Sequence, residues 1–342
     1  MNASQPAAQP RQTRWRRWLW IALSYAIAAG CLYWVFHGLP WSQVWASLGQ
    51  VRWWWLPAAV ALELLVYFCA GWEWQLLVRP AGRISLGRAT QALFAGRFAN
   101  DVLPLHAGYL LRLYLVSRWL EREVAIVIPS LVIERLFDSL WLALCIGATV
   151  FFFPLPASLS RVGAGLGAAI VGGAVLLLWL SLRQSRPGAA ARRRRTWRWK
   201  PLRKAADFCE RIALGLRSIG RSYVLWTAFA LSAVKLILTA LGFLFLLWSY
   251  GFAFPLVISL GVFLMAYVGI SMPSTPASVG VFQLFCVEGL RFFGVAKPVA
   301  SGFALLAFVV WTAPLTIGGF IALAQSGITW RQLRQRSEWK NP

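Results

Sequence analysis

Long apolar runs without charge are the feature that most constrains how this chain can fold. A helix needs about 20 mostly apolar residues to cross a bilayer, and the chain contains several segments of that length. Of its 342 residues, 59% are hydrophobic and only 13% are charged, whereas roughly a quarter of the residues in a soluble domain are charged. The sequence therefore predicts an all-α polytopic membrane protein.

Six segments are predicted to be full transmembrane helices, and a short loop, 37–53, separates the first two. The first segment is longer than the apolar part of a signal peptide and carries tryptophans typical of a membrane interface, so we expect it to be retained. The six predicted spans are 17–36, 54–78, 124–152, 162–182, 222–250 and 298–324.

Two further segments, 89–119 and 255–295, are apolar but interrupted by prolines and polar residues. The first break contains Asn100, Asp101 and Pro104, and the second contains two prolines within four residues. Irregular backbone at membrane depth is tolerated only where protein or water covers it. We predict two re-entrant helical hairpins; the alternative is a pair of surface loops.

The predicted elements follow one order, span–span–hairpin–span, which occurs twice with opposite orientation. Inverted repeats with paired broken helices are typical of transporters whose site lies near the bilayer midplane. The expected organisation is a basic N-terminus (1–16), a first repeat (17–152), a second, inverted repeat with a basic loop at 183–221 (153–324), and a basic tail (325–342).

Basic residues outnumber acidic ones by 34 to 11, for a net charge of +23. They cluster between the apolar runs, and the segment 183–221 alone holds 13 of them. Because cytoplasmic loops are enriched in Lys and Arg, both termini and this segment are predicted to be cytoplasmic. The distribution fits anionic lipid headgroups rather than nucleic acid, so no nucleic-acid partner is expected.

Charged residues within the predicted membrane segments are the candidate functional residues, because charge is costly there. Arginines suit lipid phosphates, and neighbouring acids could orient them or hold a cationic headgroup. Internal ion pairs that fix helix packing, or arginines that reach the interface, are alternatives that the sequence leaves open. The candidate headgroup-binding residues are Arg97, Arg112, Arg135, Asp101, Glu134, Asp138 and Lys235.

The two breaks supply candidate gating residues: Pro104, Gly108, Pro273, Pro276, Gly280 and Gln283. No phosphate-binding loop is present, so ATP-driven work by this chain is not expected. Ser232 and Lys235 match a serine–lysine motif but lack its accompanying motifs. The five cysteines and two histidines show no metal-ligand spacing. No catalytic residue, metal or cofactor is predicted.

Two sets of residues carry a resemblance to a known family. Pro104, Gly108 and Arg112 recur at four-residue intervals, followed by Glu134-Arg135 and Asp138, and the second break reads Pro273-Ser-Thr-Pro-Ala-Ser-Val-Gly-Val-Phe-Gln283. Together they resemble the transmembrane flippase domain of bacterial lysylphosphatidylglycerol synthases, over about residues 15–325. This chain departs from the pattern at Leu105, Tyr109 and Ala277, which puts the identity of the lipid in doubt.

The resemblance implies a stand-alone lipid translocase of the bacterial inner membrane that moves a phospholipid or other amphipathic lipid between leaflets. No soluble aminoacyl-transferase domain follows the last span, so lipid synthesis is not expected. Two alternatives stay open: an accessory protein that partners a separate lipid-modifying enzyme, and a membrane-embedded transferase. An oligomer of the chain is left open as well.

Overall fold

The computed structural model describes residues 12–102, 108–152, 223–271 and 276–326, together with the single residues 165, 168 and 172. Within these ranges the chain forms ten α-helices and a short turn, and no β-strand. This confirms the all-α prediction. The predicted span 162–182 lies outside the described residues except for three positions, and the basic loop 183–221 and nearly all of the tail 325–342 lie outside them as well. Of the N-terminal segment 1–16, only residues 12–16 are described, and they form the start of the first helix.

The helices are α1 (Gln12–Phe36), α2 (Trp41–Gly49), α3 (Trp55–Val78), α4 (Leu86–Val102), α5 (Gly108–Leu120), α6 (Val124–Phe152), α7 (Tyr223–Ser249), α8 (Leu256–Ser271), α9 (Val281–Phe292) and α10 (Lys297–Gln325). A turn over Pro276–Ser278 lies between α8 and α9. Helices α3, α6, α7 and α10 begin and end within one residue of the corresponding predicted spans.

Three of these helices, α3, α7 and α10, are both long and apolar enough to cross a membrane. Residues Ala22–Phe36 of α1 and helix α2 qualify together as a fourth, broken span with a bend of 81°. Helix α6 is 29 residues long and carries three charged residues near its middle, Glu134, Arg135 and Asp138. The chain is thus a polytopic membrane protein.

Helix α2 corrects one prediction, because residues 37–53 were expected to form a loop. The turn before it uses Gly38 at φ +69°. Val44 and Ser47 of α2 are buried, whereas Trp41 and Trp45 are exposed. At the usual helical periodicity these residues give one packed and one open face, and the tryptophans on the open face suit a membrane interface.

The first hairpin, α4 and α5, packs along the C-terminal half of α10. Near the start of α4, the Gln91 side chain donates a hydrogen bond to the carbonyl oxygen of Ala322 (3.1 Å). At the end of α4, Thr316 donates to the Asp101 carboxylate (3.0 Å). Helices α4 and α10 are therefore antiparallel along this contact, and the end of α4 lies beside the middle of α10.

The second hairpin, α8 and α9, meets the N-terminal half of α10 through α9 and through the segment just before α8. Phe252, just before α8, contacts Phe303 (ring centroids 5.7 Å). Phe282, at the start of α9, contacts Trp311 (5.6 Å). The two helical hairpins thus approach from opposite ends of α10, and their tips meet beside residues 311–316. The inverted repeat itself, half of which includes residues outside the described ranges, stays a prediction.

Two apolar clusters hold the bundle together, one around each hairpin. The first joins α4 and α5 to α3 and α6 and includes Trp74, Leu115 and Ile133. The second joins α8 and α9 to α7 and α10 and is rich in phenylalanine, with Phe243 and Phe263 fully buried. Helices α3 and α7 pack on each other most extensively and link the two clusters.

Candidate functional site

A cavity of about 400 Å³ lies where the two hairpin tips meet. Cavities of this size are typical of small-molecule sites. Helices α3 to α8, the turn at Pro276–Ser278 and α10 all contribute to its wall. Its polar lining consists of Glu63, Tyr67, Arg97, Asn100, Asp101, Tyr109, Arg112, Glu134, Arg135, Asp138, Ser139, Ser232, Lys235, Thr239, Tyr267 and Ser278.

Arg112 and Glu134 form the most deeply buried ion pair of the cavity wall. Their side chains are 2% and 1% exposed, and two parallel hydrogen bonds join them, one of 3.1 Å between Arg112 Nη1 and Glu134 Oε1. The Arg112 guanidinium also lies 3.6 Å above the ring of Trp74, an attractive cation–π geometry. The carboxylate and the aromatic face together hold the Arg112 guanidinium in one position in the cavity wall.

Arg135, the next residue along α6, is the most accessible cation of the site, with 47% of its side chain exposed. It contacts Glu134 (3.0 Å) and Asp138 (3.5 Å). Its guanidinium lies 4.9 Å from the centre of the Tyr109 ring. The Tyr109 ring therefore provides one side of the arginine's environment.

Lys235 of α7 links two acids that come from different helices. Its ammonium lies 2.5 Å from Glu73 of α3 and 2.8 Å from Asp138 of α6. Ser232, one turn before Lys235, donates a 2.6 Å hydrogen bond to Glu73. Glu73 and Ser232 are fully buried, so this group fixes the α3–α6–α7 packing behind the cavity.

On the opposite wall, Arg97 and Asp101 are one turn apart on α4 and form an ion pair of 3.2 Å. Thr316 also donates to Asp101, which ties the first hairpin tip to α10. Glu63 of α3 lines the same side of the cavity. It has no hydrogen-bond or ion-pair partner among the described residues, although Arg97 acts on it electrostatically.

The tip of the first hairpin depends on close contact between α4 and α5. The backbone N–H of Gly108 donates to the side-chain oxygen of Asn100 (2.7 Å). A Cβ at Gly108 would overlap the carbonyl oxygen of Gly96 and the Asn100 side chain, so glycine is required there. Pro104 lies outside the described residues.

The tip of the second hairpin has an unusual backbone. Ala277 and Ser278 have positive φ angles of 52° and 57°, and Gly280 follows at φ +85° with its α-carbon against the backbone of Ala28 in α1. The Gln283 side chain accepts a 2.6 Å hydrogen bond from the Gly280 N–H and so caps the start of α9. Pro276 begins the turn, and Pro273 lies outside the described residues.

The structure brings together all seven charged residues that the sequence nominated as headgroup-binding. Glu288, another acid in a predicted membrane segment, is not among them; it pairs with Arg291 (2.8 Å) at the exposed end of α9. Within the described ranges no group of three or more His, Cys, Asp or Glu side chains is arranged to hold a metal.

Sequence reasoning missed several polar and aromatic members of the site. Tyr67 is one turn from Glu63, so helical spacing from a charged residue in an apolar segment could have found it. Ser232 was noted beside Lys235, but only as part of an incomplete catalytic motif and not as a member of the site. Trp74 could not have been found in this way, because its part in the site is the contact of its ring with Arg112, which belongs to a different helix.

The fold and the site together define an integral membrane protein with a charged cavity between two broken helices. A family model described as the lysylphosphatidylglycerol synthase TM region matches residues 21–319, so the chain belongs to this family. No curated protein and no solved structure gives a significant match.

Proposed function

We propose that this protein moves a phospholipid or other amphipathic lipid between the two leaflets of a bacterial inner membrane. The observation that carries the proposal is the charged cavity at the junction of the two hairpin tips, within a bundle of apolar helices. A polar lipid headgroup needs such a compartment to pass the hydrocarbon region, where an unsolvated charge is costly. Membership of a lipid-related membrane family supports the same conclusion.

The charges of the cavity suit a headgroup that carries both signs. Arg135 and Arg97 are the accessible cations and would bind the lipid phosphate through charge-assisted hydrogen bonds. Glu63, which has no direct partner among the described residues, would receive a cationic group. The wall carries four cations, Arg97, Arg112, Arg135 and Lys235, and four acids, Glu63, Asp101, Glu134 and Asp138, so neither sign dominates.

In this proposal the two hairpin tips move and the ion pairs behind them stay fixed. The hairpins enter from opposite ends of α10, so displacement of one tip would open the cavity towards one leaflet and displacement of the other tip towards the second. Both termini would lie in the cytoplasm, and no ATP hydrolysis or other chemical step is part of the proposal.

The test is lipid exchange by the purified, full-length chain in vesicles that contain labelled anionic, zwitterionic, aminoacylated or polyprenyl-phosphate lipids. We expect exchange of at least one class above protein-free vesicles. In Arg135→Gln, exchange of that class should slow about tenfold or more, because a hydrogen bond to a charged group contributes about 1.5–3 kcal/mol.

Arg291→Gln is the matched control. Arg291, like Arg135, pairs with an acid three residues away and has a similar exposed fraction (42% against 47%), but it lies outside the cavity. Equal slowing in both variants would contradict the site. No exchange of any lipid by folded protein would contradict the transport proposal and favour the accessory alternative, and product formation by the purified chain would favour the transferase alternative.

A further inference from the structure

A second concavity, of about 380 Å³, lies beside the charged cavity on the outer surface of the bundle. Helices α3, α4 and α10 form its walls. Its lining is mainly apolar and consists of Phe68, Leu86, Gly87, Thr90, Gln91, Phe94, Gly318, Ile321, Ala322 and Gln325. We call this concavity the flank groove.

The flank groove opens on a surface that faces the membrane. Phe68 and Ile321 line it with about half of each side chain exposed, and they belong to α3 and α10, two helices long and apolar enough to span the bilayer. Along α4 the groove extends from Leu86 to Phe94, about 12 Å at the helical rise. That is most of the depth of one hydrocarbon leaflet, which is about 15 Å.

A pair of contacting aromatic rings joins the lining of the flank groove to that of the charged cavity. Tyr67 lines the cavity, Phe94 lines the groove, and their ring centroids are 5.1 Å apart. On α4, Arg97 follows Phe94 by three residues and faces the cavity. The charged and the apolar compartments therefore adjoin each other at these two rings.

Phe94 is positioned by a glycine of α10. A Cβ at Gly318 would lie 3.1 Å from the Phe94 ring, so the ring rests directly on the α10 backbone there. With no side chain in the way, the ring can pack this closely at the boundary between the two compartments.

We propose that the flank groove binds one acyl chain of a lipid whose headgroup occupies the charged cavity, with the Tyr67–Phe94 pair as the partition between them. This inference rests on the proposed function. The apolar lining, the exposure on the membrane-facing flank and the contact between its lining and that of the headgroup cavity all favour an acyl chain as the occupant.

The experiment fills the groove and measures both lipid labelling and transport. Gly87 lines the groove, is exposed, and has no atom within 4 Å of the position that its Cβ would take. Gly87→Trp should therefore fold and obstruct the groove. Gly147→Trp is the matched control, because Gly147 is also helical, exposed and free of neighbours within 4 Å but lies on α6 outside both cavities. Ile321→Trp obstructs the groove from α10 and serves as a second variant.

Full-length protein is reconstituted with a phospholipid that carries a photoreactive diazirine on its acyl chain, and the labelled residues are identified by mass spectrometry. We expect labelling of groove residues to fall in Gly87→Trp and Ile321→Trp but not in Gly147→Trp, while labelling of the exposed Ile237 on α7 stays constant. Exchange of the transported lipid should slow about fivefold or more in the two groove variants alone.

The outcomes separate this inference from the proposed function. If the unmodified protein exchanges lipid and the groove variants behave like Gly147→Trp in both measurements, the acyl-chain site is wrong and the transport proposal stands. If the unmodified protein exchanges no lipid but groove labelling falls selectively in the two variants, the acyl-chain site is supported and the transport proposal fails.

Discussion

At the scale of single residues, the charges of the cavity divide into two groups by exposure. Arg112 and Glu134 are almost fully buried and hydrogen-bonded to each other, whereas nearly half of Arg135 is exposed. A buried pair holds the helices in one arrangement, and an exposed cation next to it can bind a ligand without breaking that pair. This division refines the sequence-based hypothesis, which treated all three residues as headgroup-binding.

Glu134→Gln should strongly destabilise the protein, because Arg112 would keep its charge in a buried site without a carboxylate. Breaking a buried pair costs about 3–5 kcal/mol. Thermal unfolding in detergent would measure the loss. Glu288→Gln is the control and should cost less than about 1 kcal/mol, because its pair with Arg291 is exposed. A double variant, Arg112→Met with Glu134→Met, should be more stable than Glu134→Gln; the opposite order would contradict a structural role for the pair.

Ala277→Gly should stabilise the second hairpin tip. A left-handed backbone costs a non-glycine residue about 1–2 kcal/mol, and glycine loses about 0.5–1 kcal/mol through its greater freedom in the unfolded chain. The net gain is therefore about 0.5–1 kcal/mol, visible as a higher unfolding temperature. Ala29→Gly, on the exposed side of α1, should lower stability by about 1 kcal/mol. A lower unfolding temperature for Ala277→Gly would show that strain at the tip is not relieved by glycine.

The sequence identified the charged residues of the site but not their pairing. Charge in an apolar segment is conspicuous, so Lys235 and Asp138 could be nominated without a structure. Lys235 also pairs with Glu73, 162 residues away in the chain, and such a contact depends on how α3 and α7 pack. Exposure, which separates Arg135 from Arg112, is likewise a property of the folded molecule alone.

At the scale of elements, broken helices were predictable and a short helix was not. Clusters of proline and polar residues in apolar segments marked both hairpins, because such a cluster disfavours an uninterrupted helix, whereas the single prolines Pro129 and Pro314 lie inside α6 and α10. Helix α2 has only nine residues, too few for a reliable periodic pattern, and its tryptophans were consistent with a loop at the membrane interface.

Gly108→Ala should disrupt the first hairpin. The added Cβ would overlap the Gly96 carbonyl oxygen and the Asn100 side chain, so α4 and α5 would have to separate. Overpacking of this kind costs about 1–3 kcal/mol, and we expect a lower unfolding temperature together with slower lipid exchange. Gly30→Ala is the control, because nothing lies within 4 Å of its added Cβ. Equal stability of the two variants would argue against close packing at the hairpin tip.

At the scale of the whole molecule, the sequence predicted the order of elements and the structure shows how two of them meet. Counting the predicted spans was enough to predict that the two hairpins have opposite orientations. The meeting of both tips beside residues 311–316 of α10 could not be predicted in this way, because it depends on how far each hairpin extends along α10. The convergence creates one shared cavity in place of two separate pockets.

The exposed tryptophans around α2 have a consequence for the membrane itself. Trp41, Trp45, Trp53 and Trp54 are all about half exposed or more and lie near the junction of α1 and α3, so they anchor that end at the headgroup level. If this end of the protein stays at one membrane surface, a thicker or thinner bilayer moves the other membrane surface relative to the cavity. The resulting mismatch between protein and bilayer thickness costs fractions of a kcal/mol per Å. Lipid exchange should therefore pass through an optimum as the acyl-chain length of the host vesicles is varied.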